Sequence, residues 1–236
     1  MNTGHIGQPL VASAADRFFR TYEAHCVAPD VDTLFNLLNA LHSLNDKFKR
    51  ACNSDFFDLK EFVALKALRN LFHHEDELRS EIKLVAAQDI PPISTDLLFL
   101  CLIPRGLVEK AISGIDKKRR KQDEPVVRNA LKWYGNVVNI NPCIFNCAVH
   151  VFQKTAGIGI ELHSEAYVAF RQSYEFEEIE GHDHFVTGDI ACHAGSIEKI
   201  LQTLFADVVE PSVPADCHGQ SLDSNVRHDG TTTDKG

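Results

Sequence analysis

The chain has 236 residues, 44% of them hydrophobic, which is ample for a sizeable core, and it holds no apolar run long enough to span a bilayer. Seven cysteines are an odd number for a disulfide framework, and the opening MNTGHIGQPLVASAADRFFR lacks the regions of a signal peptide, so a reducing cytoplasm is the expected compartment. The net charge of −9 is divided unevenly, with 15 acidic and 4 basic residues in 160–236 against 18 and 20 in 1–159; this argues against a nonspecific nucleic-acid coat and directs any polyanion to the first part.

Residues 1–30 form an N-terminal segment, after which helical periodicity dominates to residue 156. Asp30 or Asp32 can cap a long amphipathic helix whose stripe is Leu34, Leu38, Leu41, Leu44 and Phe48. Asn53, Ser54 or Asp55 opens the next, with Phe62, Leu65, Leu68 and Phe72 on one side and Glu75, Asp76 and Glu77 after it. Pro91-Pro92 breaks the pattern, and Ser94 or Thr95 starts a helix through Leu97, Leu98, Leu100 and Leu102, which Pro104 interrupts. A helix from about Arg105 leads to the basic run Lys117–Lys121, and Asp123, Glu124 and Pro125 mark a new start toward Val127, Leu131, Trp133 and Tyr134. Pro142 opens another through Ile144, Phe145, Val149 and Phe152.

Past Gly157 the signal weakens. Glu161–Glu180 reads as one helix, or Tyr174–Ile179 and His184–Thr187 read as a small hairpin about Gly181, and Ser196–Val209 reads as a last helix. Residues 157–210 are thus an acidic extension packed on the bundle, and 211–236, rich in Ser, Asp, Gly and Thr, read as a disordered tail. The expected fold is all-α, an up-and-down helical bundle over 31–156 with this extension.

The most informative stretch is Arg69-Asn70-Leu71-Phe72-His73-His74. A guanidinium holds a phosphate oxygen through paired N–H donors, an imidazole exchanges a proton near neutral pH, and a carboxamide orients either; such a set needs no metal. With Arg69 at zero on a helical wheel, His73 lies at about 40°, Asn70 at about 100° and His74 at about 140°, beside rather than within the apolar stripe. A ligand has access to all four.

R-N-x-x-x-H on a core helix of a helical chain resembles the HEPN superfamily, a likeness covering roughly residues 31–156. The resemblance implies a metal-independent endoribonuclease whose site forms at a homodimer interface. By position, Arg69 would hold the scissile phosphate, His74 would act in acid–base transfer, Asn70 would orient them, and His73 is the alternative imidazole. The reaction implied is attack by the neighbouring 2′-hydroxyl on phosphorus, leaving a cyclic phosphate and a 5′-hydroxyl. A toxin or defence effector held in check by a regulatory protein fits that activity; the other reading is a noncatalytic HEPN-like interaction module.

Lys117, Lys118, Arg119, Arg120 and Lys121 form either a solvated surface or a guide for RNA. Cys143, Cys147 and His150 share a helical face without a second ligand pair, and His182, His184, Asp189, Cys192 and His193 complete no established spacing, so no metal is expected. Walker, nucleophile-elbow and dinucleotide motifs are missing, which leaves cofactor chemistry without support. The acidic extension is also a candidate mask over Arg69.

Overall fold

A computed structural model describes residues 8–74, 81–90, 93–192 and 195–206. Eight helices lie within them: α1 (Gln8–Val27), α2 (Val31–Cys52), α3 (Lys60–His74), α4 (Arg105–Ser113), α5 (Lys117–Ala130), α6 (Asn141–Gly157), α7 (Glu165–Glu180) and α8 (Ile197–Thr203). Six strands accompany them: β1 (Lys83–Ala86), β2 (Ile93–Ser94), β3 (Phe99–Pro104), β4 (Lys132–Tyr134), β5 (Val137–Asn139) and β6 (Ala191–Cys192). The fold is mostly helical but not all-α.

The N-terminal segment forms α1, which pairs with α2 in a helical hairpin. Asp30 caps α2 by accepting from the Thr33 N–H at 2.6 Å while the Thr33 hydroxyl accepts from the Asp30 N–H at 2.9 Å, a reciprocal box that stops fraying at the turn. Leu34, Leu38, Leu41, Leu44 and Phe48 are buried as their spacing predicts. Asn53 ends α2 in the left-handed region at φ 49°, and buried Asn45 accepts from the Phe56 N–H at 2.9 Å, fixing the link to α3. Helix α3 then runs through the middle of the bundle and packs on α2, α4, α5 and α6, with Phe62, Leu65, Leu68 and Phe72 buried.

The departure from a pure bundle comes at residues 99–104, expected as a helix and found as β3, the second strand of an antiparallel sheet ordered β1-β3-β5-β4. The run Phe99-Leu100-Cys101-Leu102-Ile103 is apolar at every position because both faces of the strand are covered. Cys101 and Ile103 join the main helical core, whereas Leu100 and Leu102 face a smaller core with Ile90, Val137, Leu201 and Phe205. A continuous apolar run has no period to separate strand from helix. Trp133 and Tyr134, also expected on a helix, lie on β4 paired with Val138 and Val137.

Pro125 does not open a helix; it lies inside α5, which begins eight residues earlier where the Asp116 carboxylate accepts from the Lys118 N–H at 2.8 Å. Ion pairs one turn apart, Arg119–Asp123 at 3.1 Å and Arg128–Glu124 at 2.9 Å, flank the proline and favour continuation. Of helix and hairpin the helix holds, beginning at Glu165 rather than Glu161: Ser164 caps α7 and Gly181 ends it at φ 71°. The following strand-free segment is tied down by Asp96, which accepts from the Thr187 and Gly188 N–H groups, and by Asn146, which bonds Val186 in both directions at 3.0 Å. Helix α7 packs on α1, and α8 packs on β4 and β5, so the acidic extension lies against the bundle and sheet. The expected tail at 211–236 and the Glu75–Glu77 turn lie outside the described residues.

Candidate functional site

The four motif residues occupy the last turns of α3, where the buried stripe gives way to solvent. Arg69 and Asn70 are half-buried, and His73 and His74 are exposed with ring centroids 5.6 Å apart. The helix divides them between two directions. Arg69 turns toward α2, where its Nε donates to the Asn39 Oδ1 at 2.9 Å. Asn70 and His74, one turn apart, line a groove of about 550 Å³ closed on its other side by Lys110, Ser113 and Gly114. None of the described residues lining that groove is a carboxylate.

Asn70 also borders a second recess, of about 340 Å³, that runs on toward Lys66, Phe57 and Arg119. The two recesses share Ala67, Asn70, Gly114 and Ile115 and therefore form one continuous trough along the α3 face toward α4 and α5. This trough brings Arg119, alone of the basic run, beside a motif residue. Arg119 pairs with Asp123 and lies 4.6 Å over the Phe57 ring, while Arg120 donates to the Ser113 carbonyl and, at 3.0 Å, to the Ile115 carbonyl, sealing the end of α4. Lys117, Lys118 and Lys121 are exposed on the first turns of α5 and line neither recess.

Three neighbours carry no sequence signal of their own. Asn39, on α2, is the residue whose side chain accepts from the Arg69 Nε. His42, one turn beyond Asn39 on α2, stands 3.6 Å from the Asp46 carboxylate. Desolvation lowers its pKa below the usual imidazole value; Asp46 opposes that shift and the positive charges of Arg69 and Lys66 add to it. A neutral imidazole therefore faces the Arg69 side of α3. Lys66 is likewise lowered, first by desolvation and then by Arg119. These residues lie on the polar sides of ordinary amphipathic helices, and only the packing of α2 and α5 on α3 assembles them.

No group of three His, Cys, Asp or Glu among the described residues is placed to hold a metal. Cys143 and Cys147 are fully buried on α6, where desolvation pushes both thiols well up and keeps them protonated. His150 instead meets the buried Glu61 carboxylate at 3.6 Å, and His184 stacks on Tyr174 at 3.6 Å while its Nδ1 meets Glu177 at 2.8 Å. His193 lies outside the described residues. Among the described residues Arg69 bonds Asn39 and the acidic α7 packs on α1, while residues 207–236 of the expected mask lie outside the described residues. Among the described residues no helix is long and apolar enough to cross a membrane. No protein-family model, curated protein or solved structure matches the chain.

Proposed function

We propose that this chain is a HEPN-like endoribonuclease acting as a homodimer. The observation that supports it most is the placement of Arg69, Asn70, His73 and His74 at the exposed end of one core helix, with Asn70 and His74 on a groove whose described lining is cationic and neutral. A phosphodiester is attracted there, and the rigid helix fixes the spacing of guanidinium and imidazole.

In this reading Arg69 grips a non-bridging phosphate oxygen through its terminal N–H groups, since Nε is engaged by Asn39. The 2′-hydroxyl oxygen attacks phosphorus as a base removes its proton, and the bond to the 5′ oxygen breaks as an acid protonates that oxygen. His74 takes one of those roles. Arg69 and His74 diverge across one helix, so a second copy, turning its own motif to the same cleft, supplies the other imidazole. A restrained toxin or defence effector is the biological role that suits this chemistry.

The Arg69–Asn39 bond favours a second reading as well, a noncatalytic interaction module in which Arg69 ties α3 to α2. The two separate on a panel of structured and single-stranded RNAs incubated with wild-type protein and the Arg69→Ala variant. The nuclease cuts RNA and loses that activity with Arg69, whereas the module cuts nothing in either form and keeps its partner.

A further inference from the structure

The trough does not stop at the motif. Eight residues of helix separate His74 from Lys66, about 12 Å along the axis, a distance that covers more than one nucleotide step. Lys66 is half-buried, and its ammonium lies 5.4 Å over the Phe57 ring. Two carboxylates line the same recess, and both are engaged: Asp123 pairs with Arg119 at 3.1 Å, and Asp116 accepts from the Lys118 N–H at 2.8 Å; Asp46, whose charge Lys66 also feels, stands 3.6 Å from His42. Among the described residues no oxygen is hydrogen-bonded to the Lys66 ammonium. A desolvated cation beside a second cation is a setting that gains from an anion.

We infer that the recess at Phe57 is a second contact for the RNA strand, in which Lys66, supported by Arg119, holds a phosphate other than the scissile one. This rests on the RNA reading of the α3 site. Arg119 already has one edge on Asp123 and so contributes charge more than a free donor set, while Lys66 brings its full complement of N–H donors. The strand would run from His74 past Asn70, the residue common to both recesses, to Lys66. A site built this way favours single strands longer than a dinucleotide, because a dinucleotide reaches only one end.

The test uses the full chain and 2′-O-methyl oligonucleotides, which bind but lack the attacking hydroxyl, as fluorescent probes. Wild-type protein should bind a longer single strand more tightly than a dinucleotide. Lys66→Gln should weaken the longer strand roughly fivefold and lower the slope of log affinity against log salt by about 0.7, leaving the dinucleotide unchanged. Lys66→Met, which keeps the stem over Phe57, should behave like the glutamine variant, and Lys66→Arg should restore most of the affinity. Equal binding of the longer strand by wild type and by folded Lys66→Gln and Lys66→Met overturns the inference, as does a wild type with no preference for length. Length-dependent, Lys66-dependent binding without cleavage of ordinary RNA would retain the recess and discard the nuclease. Cleavage with the same KM in wild type and Lys66→Gln would do the reverse.

Discussion

The Arg69 Nε donates to the Asn39 Oδ1 at 2.9 Å, joining the last turns of α3 to α2 across 30 residues of sequence. The bond aims the guanidinium, and among the described residues no hydrogen bond engages its terminal N–H groups. Asn39→Ala should cost at most about 1 kcal/mol of stability, because both partners reach solvent. The same change should lower RNA cleavage more than it lowers stability, and comparing urea unfolding with the cleavage rate separates the two effects. A loss of stability with an unchanged rate would give the bond a purely structural role.

His42 should titrate below the ordinary imidazole range, since desolvation and the charges of Arg69 and Lys66 outweigh Asp46. Replacing Arg69 by Gln removes one of those charges and should move the His42 titration upward. Ring-proton NMR across pH 4 to 8, about the imidazole value, reads both. A His42 that titrates above the ordinary imidazole range would contradict the packing of α2 on α3.

Acid sensitivity should trace to His25. The ring is fully buried, its Nδ1 is 3.0 Å from the Thr33 hydroxyl, and its Nε2 has no partner, so protonation places an unpaired N–H in the core. Burial lowers its pKa to about 4, with Asp30 opposing in part. The unfolded chain binds this proton first, so stability should fall as pH drops from about 6.5 to about 4 and level off below that, by up to roughly 3 kcal/mol. Unfolding followed by the fluorescence of Trp133, the single tryptophan, should show a flatter acid limb for His25→Gln. An identical limb would assign the sensitivity to other groups.

The link between α2 and α3 hangs on Asn45, 2% exposed, which accepts from the Phe56 N–H at 2.9 Å. Asn45→Ala leaves that N–H buried without an acceptor and should cost about 1–3 kcal/mol. Asn36→Ala, exposed on the same helix, should stay within about 0.5 kcal/mol. Thermal melts of the two variants check this directly, and equal melting would remove Asn45 from the account.

Helices with one polar side were readable from the sequence, because periodicity is a local property: α2 and α3 carry their stripes and α2 its Asp30 cap. Strand β3 was not, because Leu100 and Cys101 look alike in sequence and part only when α8 covers one face of the sheet and the bundle the other. The same holds at the site. Arg69, Asn70, His73 and His74 are visible as four neighbours on one helix, whereas Asn39, His42 and Lys66 become neighbours only through packing. The basic run was legible as charge, yet its division into sealing Arg120, recess-lining Arg119 and exposed lysines follows from where Asp116 caps α5.

The central claim turns on cleavage itself. Wild-type and His74→Ala protein, both folded and of the same oligomeric state, are incubated in excess chelator with a labelled RNA and with the same strand carrying a 2′-deoxy nucleotide at the cut site, and the product ends are identified by mass spectrometry. The account predicts cyclic-phosphate and 5′-hydroxyl ends from the RNA with wild type alone, and no cut at the deoxy position. Cleavage that persists in His74→Ala, or products with other ends, would contradict it.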